Sequence, residues 1–141
     1  MESISFTTFK TCLDTWSKYN EKGVQCLSTQ TLGSPSTELD DIVNNLKQVL
    51  DTMFEEYVQV VTELGLEEVI QNDDNDNIPK ELNYMRNCVD MYDQEYMVKE
   101  CIRGIVSGEG FATRQHLSGS IALWKSESYL DDELQEEIKK L

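Results

Sequence analysis

Apolar side chains recur every three or four positions along most of this chain, which is the spacing of amphipathic α-helices. The longest such run starts after Thr37 and ends near Gly65. Its apolar members are Leu39, Ile42, Val43, Leu46, Val49, Leu50, Met53, Phe54, Tyr57, Val60, Val61 and Leu64. This run predicts one amphipathic helix of about seven turns, interrupted at most once. Thr37 or Ser36 is expected to cap its start.

The same spacing predicts further helices on both sides of this run. The predicted stretches are 4–22, ended by Gly23, then 79–92, 94–106, a short helix or irregular segment at 111–118, and the closing part after Ile121. No alternating pattern typical of strands occurs. We therefore predict an all-α bundle of seven or eight helices without internal repeats.

Two polar loops are expected to separate the helices. Small residues around Gly33 and Pro35 indicate a loop at about 24–37. The run NDDNDN contains no apolar residue and indicates an acidic surface loop at about 71–77. A chain of 141 residues fits one domain that can bury a core, so residues 1–141 are predicted to form a single helical domain.

The charge balance narrows the classes of partner. The chain carries 27 acidic and 12 basic residues, which gives a net charge of −15 at pH 7. Binding to a nucleic-acid backbone needs clustered Lys and Arg, so we expect no nucleic-acid partner. No apolar run approaches the roughly 18 to 20 residues of a membrane span, and MESISFTTFK lacks the pattern of a signal peptide. The sequence thus predicts no integral membrane segment.

The four cysteines are widely spaced and form no C-x-x-C pair; they are Cys12, Cys26, Cys88 and Cys101. This pattern is typical of an intracellular protein whose thiols are reduced. An exposed cysteine can still link two chains, so a homodimer stays open at this stage.

No arrangement of residues points to catalysis or to metal binding. The single histidine, His116, has no second histidine with which to form a metal site or to activate a nucleophile. NDDNDN lacks the glycine and the final glutamate of a calcium-binding loop, and GEG at 108–110 lacks the strand and the G-K-[ST] ending of a phosphate loop. We predict that the chain is not an enzyme and uses no metal and no cofactor.

The end of the chain carries a more specific pattern. In IALWKSESYLDDELQEEI, residues 121–138, Trp124 lies in an apolar pair of turns and is followed by Tyr129, Leu130 and an acidic helix. The segment resembles the late helices of the Bcl-2 family, in which I-A-x-W precedes Y-L-[ND]-x-x-L. One extra residue separates Trp124 from Tyr129 here. The resemblance implies that these three side chains belong to the motif and the core.

A second segment, LKQVLDTMFEEY, resembles the third homology (BH-3) motif of the same family. The positions that fall on or near that motif are Leu46, Asp51, Phe54 and Tyr57. Leu50 stands where the family has glycine.

The first homology motif, N-W-G-R, is expected at MYDQ, residues 91–94. Only its aromatic residue survives, as Tyr92, and the arginine position is occupied by Gln94. Arg86 or Arg103 is an alternative source of the missing charge. Because a neutral amide loses a charge-assisted hydrogen bond, we expect a narrow range of ligands.

The opening helix, FKTCLDTWSKYNEKG, also resembles that of the family, so the resemblance covers nearly the whole chain. It implies the family fold, in which amphipathic helices wrap a central hydrophobic helix. The short first loop, the eroded motifs and the end at Leu141 without an apolar tail are typical of virus-encoded, anti-apoptotic members.

The resemblance also implies a function. Such proteins inhibit apoptosis by sequestering the BH-3 helix of pro-apoptotic proteins in an apolar surface groove. Bim-like ligands are expected first, with Bak or Bax as further partners. The implied location is the host cytoplasm, with mitochondria reached only through partners. By position, the groove would be lined by Met53, Tyr57, Val61, Leu64, Met85, Tyr92, Gln94, Tyr96 and Met97.

Three other classes of protein also fit an acidic helical chain. A pore-former of the same fold is disfavoured, because its central hairpin would place Lys99, Glu100 and Arg103 in a bilayer. An acidic mimic of DNA is disfavoured, because the carboxylates are dispersed over several helices. A helical subunit or adaptor of a larger assembly, with no role in apoptosis, is the principal alternative.

Overall fold

The computed structural model describes residues 5–66 and 79–141, which form five α-helices and no strand. The helices are α1 (Thr7–Ser28), α2 (Glu38–Leu64), α3 (Lys80–Gly108), α4 (Arg114–Ser126) and α5 (Asp132–Lys139). The all-α prediction is confirmed. The acidic loop predicted at about 71–77 lies outside the described residues.

The prediction of seven or eight helices is wrong for the described part of the chain, because several predicted breaks are absent. The stretches 79–92 and 94–106 belong to one helix, α3. The residue between them, Asp93, keeps the backbone N–H that proline lacks and does not have the freedom of glycine. Residues 114–118 likewise continue into the Trp124 segment as α4.

The first loop is shorter than predicted. Gly23 lies inside α1, which continues to Ser28, so the connection to α2 covers 29–37 and not about 24–37. This connection is pinned to the far end of α3, because the N–H of Gly33 donates to the Phe111 carbonyl at 2.7 Å and that of Ser36 donates to the Val106 carbonyl at 2.9 Å. The loop therefore closes one end of the bundle.

Helix α2 has the bounds that its apolar pattern predicts. Acidic residues in its first turn, including Asp40, complement the positive end of the helix dipole. The Ser36 hydroxyl accepts the backbone N–H of Glu38 at 3.1 Å. Gly65 ends the helix in the left-handed conformation with a φ of 65°, which glycine adopts without steric cost.

Helices α1, α2 and α3 pack as successive antiparallel neighbours, and the two short helices close the bundle. Asp40 near the start of α2 pairs with Arg103 near the end of α3 at 3.2 Å. Helix α4 packs on α1 and α3, and α5 packs mainly on α3. At the centre, Trp16 meets Tyr92 edge to face with ring centroids 4.9 Å apart. No described helix is both long enough and apolar enough to cross a bilayer.

Local capping explains the two short helices. The Thr113 hydroxyl accepts the N–H of His116 at 3.1 Å at the start of α4. Asp131 caps α5, since its Oδ1 accepts the N–H groups of Glu133 at 2.8 Å and Leu134 at 3.2 Å. Such caps each stabilise a helix by about 1 kcal/mol.

Candidate functional site

A shallow cleft of about 300 Å³ runs between α2 and α3. It is lined by Lys47, Leu50, Asp51 and Phe54 from α2 and by Val89, Asp90 and Asp93 from α3. Leu50 and Val89 are buried and form an apolar floor, whereas the Phe54 side chain stands at the edge with 53% of its surface exposed. An aromatic ring that solvent reaches beside an apolar floor is a ready contact for another protein.

The position of Phe54 follows from the register of α2. Successive residues of a helix are turned by about 100°, so the inward direction of Met53 and Tyr57 leaves their neighbours Phe54 and Val58 on the outer side. Val58 is 42% exposed and does not line the cleft. The amphipathic pattern of α2 is therefore broken at two apolar positions, and only one of them faces the cleft.

The rim of the cleft is anionic. Asp51 pairs with Lys47 at 3.1 Å, and this contact raises the pKa of the lysine above its ordinary value. Asp90 and Asp93 are exposed and lie one turn apart on α3. Three carboxylates against one ammonium group leave a negative field, which favours Lys or Arg on an incoming segment.

The structure places the nine predicted groove residues in different environments. Met53, Tyr57, Val61, Met85 and Tyr92 lie in the core, with at most 9% of each exposed. Leu64 and Tyr96 are half-buried, and Gln94 and Met97 are exposed. Their helices α2 and α3 do form the walls of the cleft, but the cleft is lined by neighbouring positions on those helices.

Gln94, at the arginine position of the motif, and the two alternative arginines lie in different environments. Gln94 is exposed and does not line the cleft, although its neighbour Asp93 does. Arg103 is held by Glu100 and Asp40, which raises the pKa of its guanidinium further. Arg86 is half-buried near Tyr57, where its charge opposes the effect of burial that raises the pKa of the tyrosine.

The motif residues are divided between core and surface. Leu46 and Trp124 are fully buried, Leu130 is half-buried, and Tyr129 is exposed. Asp51 and Phe54 are exposed at the cleft, as described above. The closing motif thus combines a core tryptophan with a turn that leads to the N-cap of α5, and both features have a structural role in this bundle.

A buried polar cluster joins α3 to the end of α4. The Lys99 ammonium group is fully buried and lies 3.5 Å from Glu95 Oε2 and 3.6 Å from Glu127 Oε2. It donates to the Trp124 carbonyl oxygen at 3.0 Å and lies 4.4 Å from the centre of the Trp124 ring. Glu127 in turn accepts the indole N–H of Trp16 at 2.7 Å.

Burial sets the ionisation of this cluster. It raises the pKa of Glu95, a shift that the Lys99 charge opposes and the Glu127 charge reinforces. It lowers the pKa of Lys99, against the charges of Glu127 and Glu95. Glu95 Oε2 accepts no hydrogen bond from the described residues. This cluster could not be predicted from the sequence, because Glu and Lys four residues apart are usually an exposed helical pair.

None of the described residues form a group of three or more side chains suited to a metal ion. His116 packs edge to face on Phe111 with ring centroids 5.0 Å apart. The four thiols are free, and burial raises the pKa of Cys12 to about 11 and that of Cys88 to about 12, which suppresses their reactivity.

Comparison of the chain with protein-family models, with curated proteins and with solved structures finds no match. The Bcl-2 resemblance therefore depends on the quoted motifs alone.

Proposed function

We propose that this chain binds an amphipathic helix of a partner protein in the cleft between α2 and α3. The observation that supports this most is Phe54, an exposed aromatic side chain beside the apolar floor of Leu50 and Val89. The three aspartates of the rim add a charge preference. A partner that inserts an apolar side chain next to Phe54 and places Lys or Arg over the rim meets both requirements.

The size of the cleft limits the ligand. Its α2 wall extends from Lys47 to Phe54, which is about two helical turns or roughly 10 Å. It therefore holds two apolar anchors one turn apart. Burying two such side chains contributes about 3–6 kcal/mol before the costs of association, which is less than the roughly 8 kcal/mol of a micromolar complex, so an affinity weaker than micromolar is expected.

The motif resemblance supports a specific ligand, the BH-3 helix of Bim-like proteins, Bak or Bax. A chain that holds this helix keeps the pro-apoptotic protein from its targets and inhibits cell death. In this proposal α3, which packs against α2, α4 and α5, is the central helix of a Bcl-2-like fold. The anionic rim disfavours the aspartate of a BH-3 ligand, so ligands with several basic flanking residues should bind best.

Calorimetric titration with a panel of BH-3 peptides tests this proposal. We expect at least one Bim-like peptide to bind, and the same peptide to lose binding when its conserved leucine becomes glutamate. No heat from any peptide, with protein shown to be folded by circular dichroism, would contradict the anti-apoptotic function.

The alternative is a helical subunit or adaptor with no role in apoptosis, and the negative rim is the observation that favours it. A designed helical peptide with two leucines one turn apart and flanking lysines, but without the BH-3 motif, separates the two proposals. Binding of this peptide together with a blank BH-3 panel supports the adaptor. Failure of both peptide classes would contradict helix binding at the cleft.

A further inference from the structure

A second and larger apolar surface lies between α3 and α4. This furrow has a volume of about 530 Å³. It is lined by Val98, Cys101, Ile102, Ile105, Gln115, His116, Gly119, Ser120 and Leu123. It shares no residue with the cleft between α2 and α3.

The furrow carries exposed apolar side chains at its borders. Leu123 on α4 is 44% exposed, and Met97, which lies one turn before Cys101 on α3, is 58% exposed. Ile102 forms a buried floor between them. A continuous surface of this kind is covered by another protein more often than it is left in water.

The charge of the chain indicates what covers it. None of the nine lining residues is Asp, Glu, Lys or Arg, although the chain as a whole has a net charge of −15. Helix α4 is the only described helix without a carboxylate, and its charged residues, Arg114 and Lys125, lie near its two ends. Two copies of so acidic a chain repel each other over most of their surfaces, and this face is free of that repulsion.

We propose that the α3–α4 furrow is the interface of a two-fold homodimer of this chain. In such a dimer the same face is used twice, so it must be complementary to itself, and an uncharged apolar face meets that condition without opposing charges. Gly119 lies at the centre of the α4 wall, and a Cβ at this position would meet no atom within 4 Å, so the partner's helix can approach closely. The proposed dimer places the exposed Cys101 thiol, which lines the same furrow, near the two-fold axis.

Sedimentation velocity on matched variants at Gly119 tests the proposal. We expect wild type to sediment as a dimer at about 100 μM, with a dissociation constant that falls when added salt screens the repulsion between copies. Gly119→Glu places a charge on both sides of the interface and should raise the dissociation constant at least about tenfold. Gly119→Ala, which fits the same open space, should remain dimeric.

Cross-linking of Cys101 provides a second readout that does not depend on affinity alone. A short bis-maleimide should join two wild-type chains, whereas Cys101→Ser and Gly119→Glu should give none of this product. Circular dichroism of each variant checks that it is folded.

Three outcomes would contradict the proposal that the α3–α4 furrow is a homodimer interface. Wild type that stays monomeric would leave the face to an unlike partner or to solvent. A dimer that survives Gly119→Glu would have its interface elsewhere, and so would a dimer without the Cys101 cross-link. None of these outcomes bears on the α2–α3 cleft, whose peptide titration is measured separately.

Discussion

Gly23 of α1 lies directly against the indole ring of Trp124 on α4. A Cβ added at Gly23 would overlap the six-membered part of the ring and would come within 2.8 Å of Nε1. The same Nε1 donates a hydrogen bond to the Asn20 carbonyl at 2.9 Å. Packing therefore fixes the position of the ring, and the hydrogen bond fixes its orientation. The absence of a side chain at position 23 is what lets the closing helices dock onto α1.

Gly23→Ala should therefore destabilise the protein. The added methyl group forces the fully buried ring to move, and overpacking of this kind costs about 1–3 kcal/mol. The gain in helix propensity, about 1 kcal/mol, offsets part of that loss. Urea unfolding measures the change.

Gly104→Ala is the matched control. Gly104 is also a glycine inside a helix, but a Cβ there meets no atom within 4 Å. The Gly104→Ala substitution should stabilise the protein by up to about 1 kcal/mol. Equal effects of the two substitutions would show that Trp124 does not restrict position 23.

Lys99→Met tests the buried cluster. Removal of the ammonium group leaves Glu95 buried without its cation, and breaking a buried pair in this way costs about 3–5 kcal/mol. The double variant Lys99→Met with Glu95→Gln should lose less stability than Lys99→Met alone, because no buried charge is left at Glu95. A double-mutant cycle measures this coupling. Strictly additive effects would show that the two groups do not interact.

The pH dependence of stability should carry the signature of Glu95. Burial raises the pKa of this carboxyl above its usual 4.5, so the folded chain holds the proton more tightly than the unfolded chain does. Its contribution to stability is therefore complete below pH 4.5 and is lost as the pH rises through the folded-state pKa. Glu100 acts in the opposite sense, since Arg103 lowers its pKa.

Comparison with Glu95→Gln isolates this effect. The free energy of unfolding of wild type, minus that of the variant, should fall as the pH rises from 4.5 towards neutrality. Urea unfolding at a series of pH values provides the measurement. A difference that stays constant over this range would mean that Glu95 titrates normally.

Substitutions at two exposed apolar residues one turn apart on α2 distinguish binding in the cleft from nonspecific apolar binding to α2. Phe54→Asp should abolish binding of the best helical peptide, because it removes the aromatic edge and adds a fourth carboxylate to the rim. Val58→Asp introduces the same charge outside the cleft and should change the affinity by less than about threefold. Calorimetric titration compares the two variants. Equal losses would place the binding surface elsewhere on α2.

The helices could be predicted from the sequence largely because their apolar residues have clear spacing. The bounds of α2 follow from its periodicity and from Gly65. The break predicted between 92 and 94 was wrong because no glycine or proline lies there to end the helix, and α3 continues through Asp93. Gly23 was misread as a stop signal, because nothing in its local sequence shows that a tryptophan about one hundred residues later needs the space.

The candidate site was harder to predict. Periodicity shows which residues share a helical face but not which face meets the core, so Met53 and Tyr57 were assigned to a groove although they are buried. Phe54 was assigned to a motif, and its exposure beside the cleft depends on the packing of α3. Lys99 was considered only as an obstacle to membrane insertion, and its buried partners became evident only in three dimensions.

The most direct test of helix binding at the cleft is the two-dimensional ¹H–¹⁵N spectrum of the labelled protein, titrated with the peptide that binds best in calorimetry. We predict the largest shift changes at residues 47–54 of α2 and 89–93 of α3, with those of α4 unchanged. Changes centred on the α3–α4 furrow, or none at a saturating peptide concentration, would contradict this account.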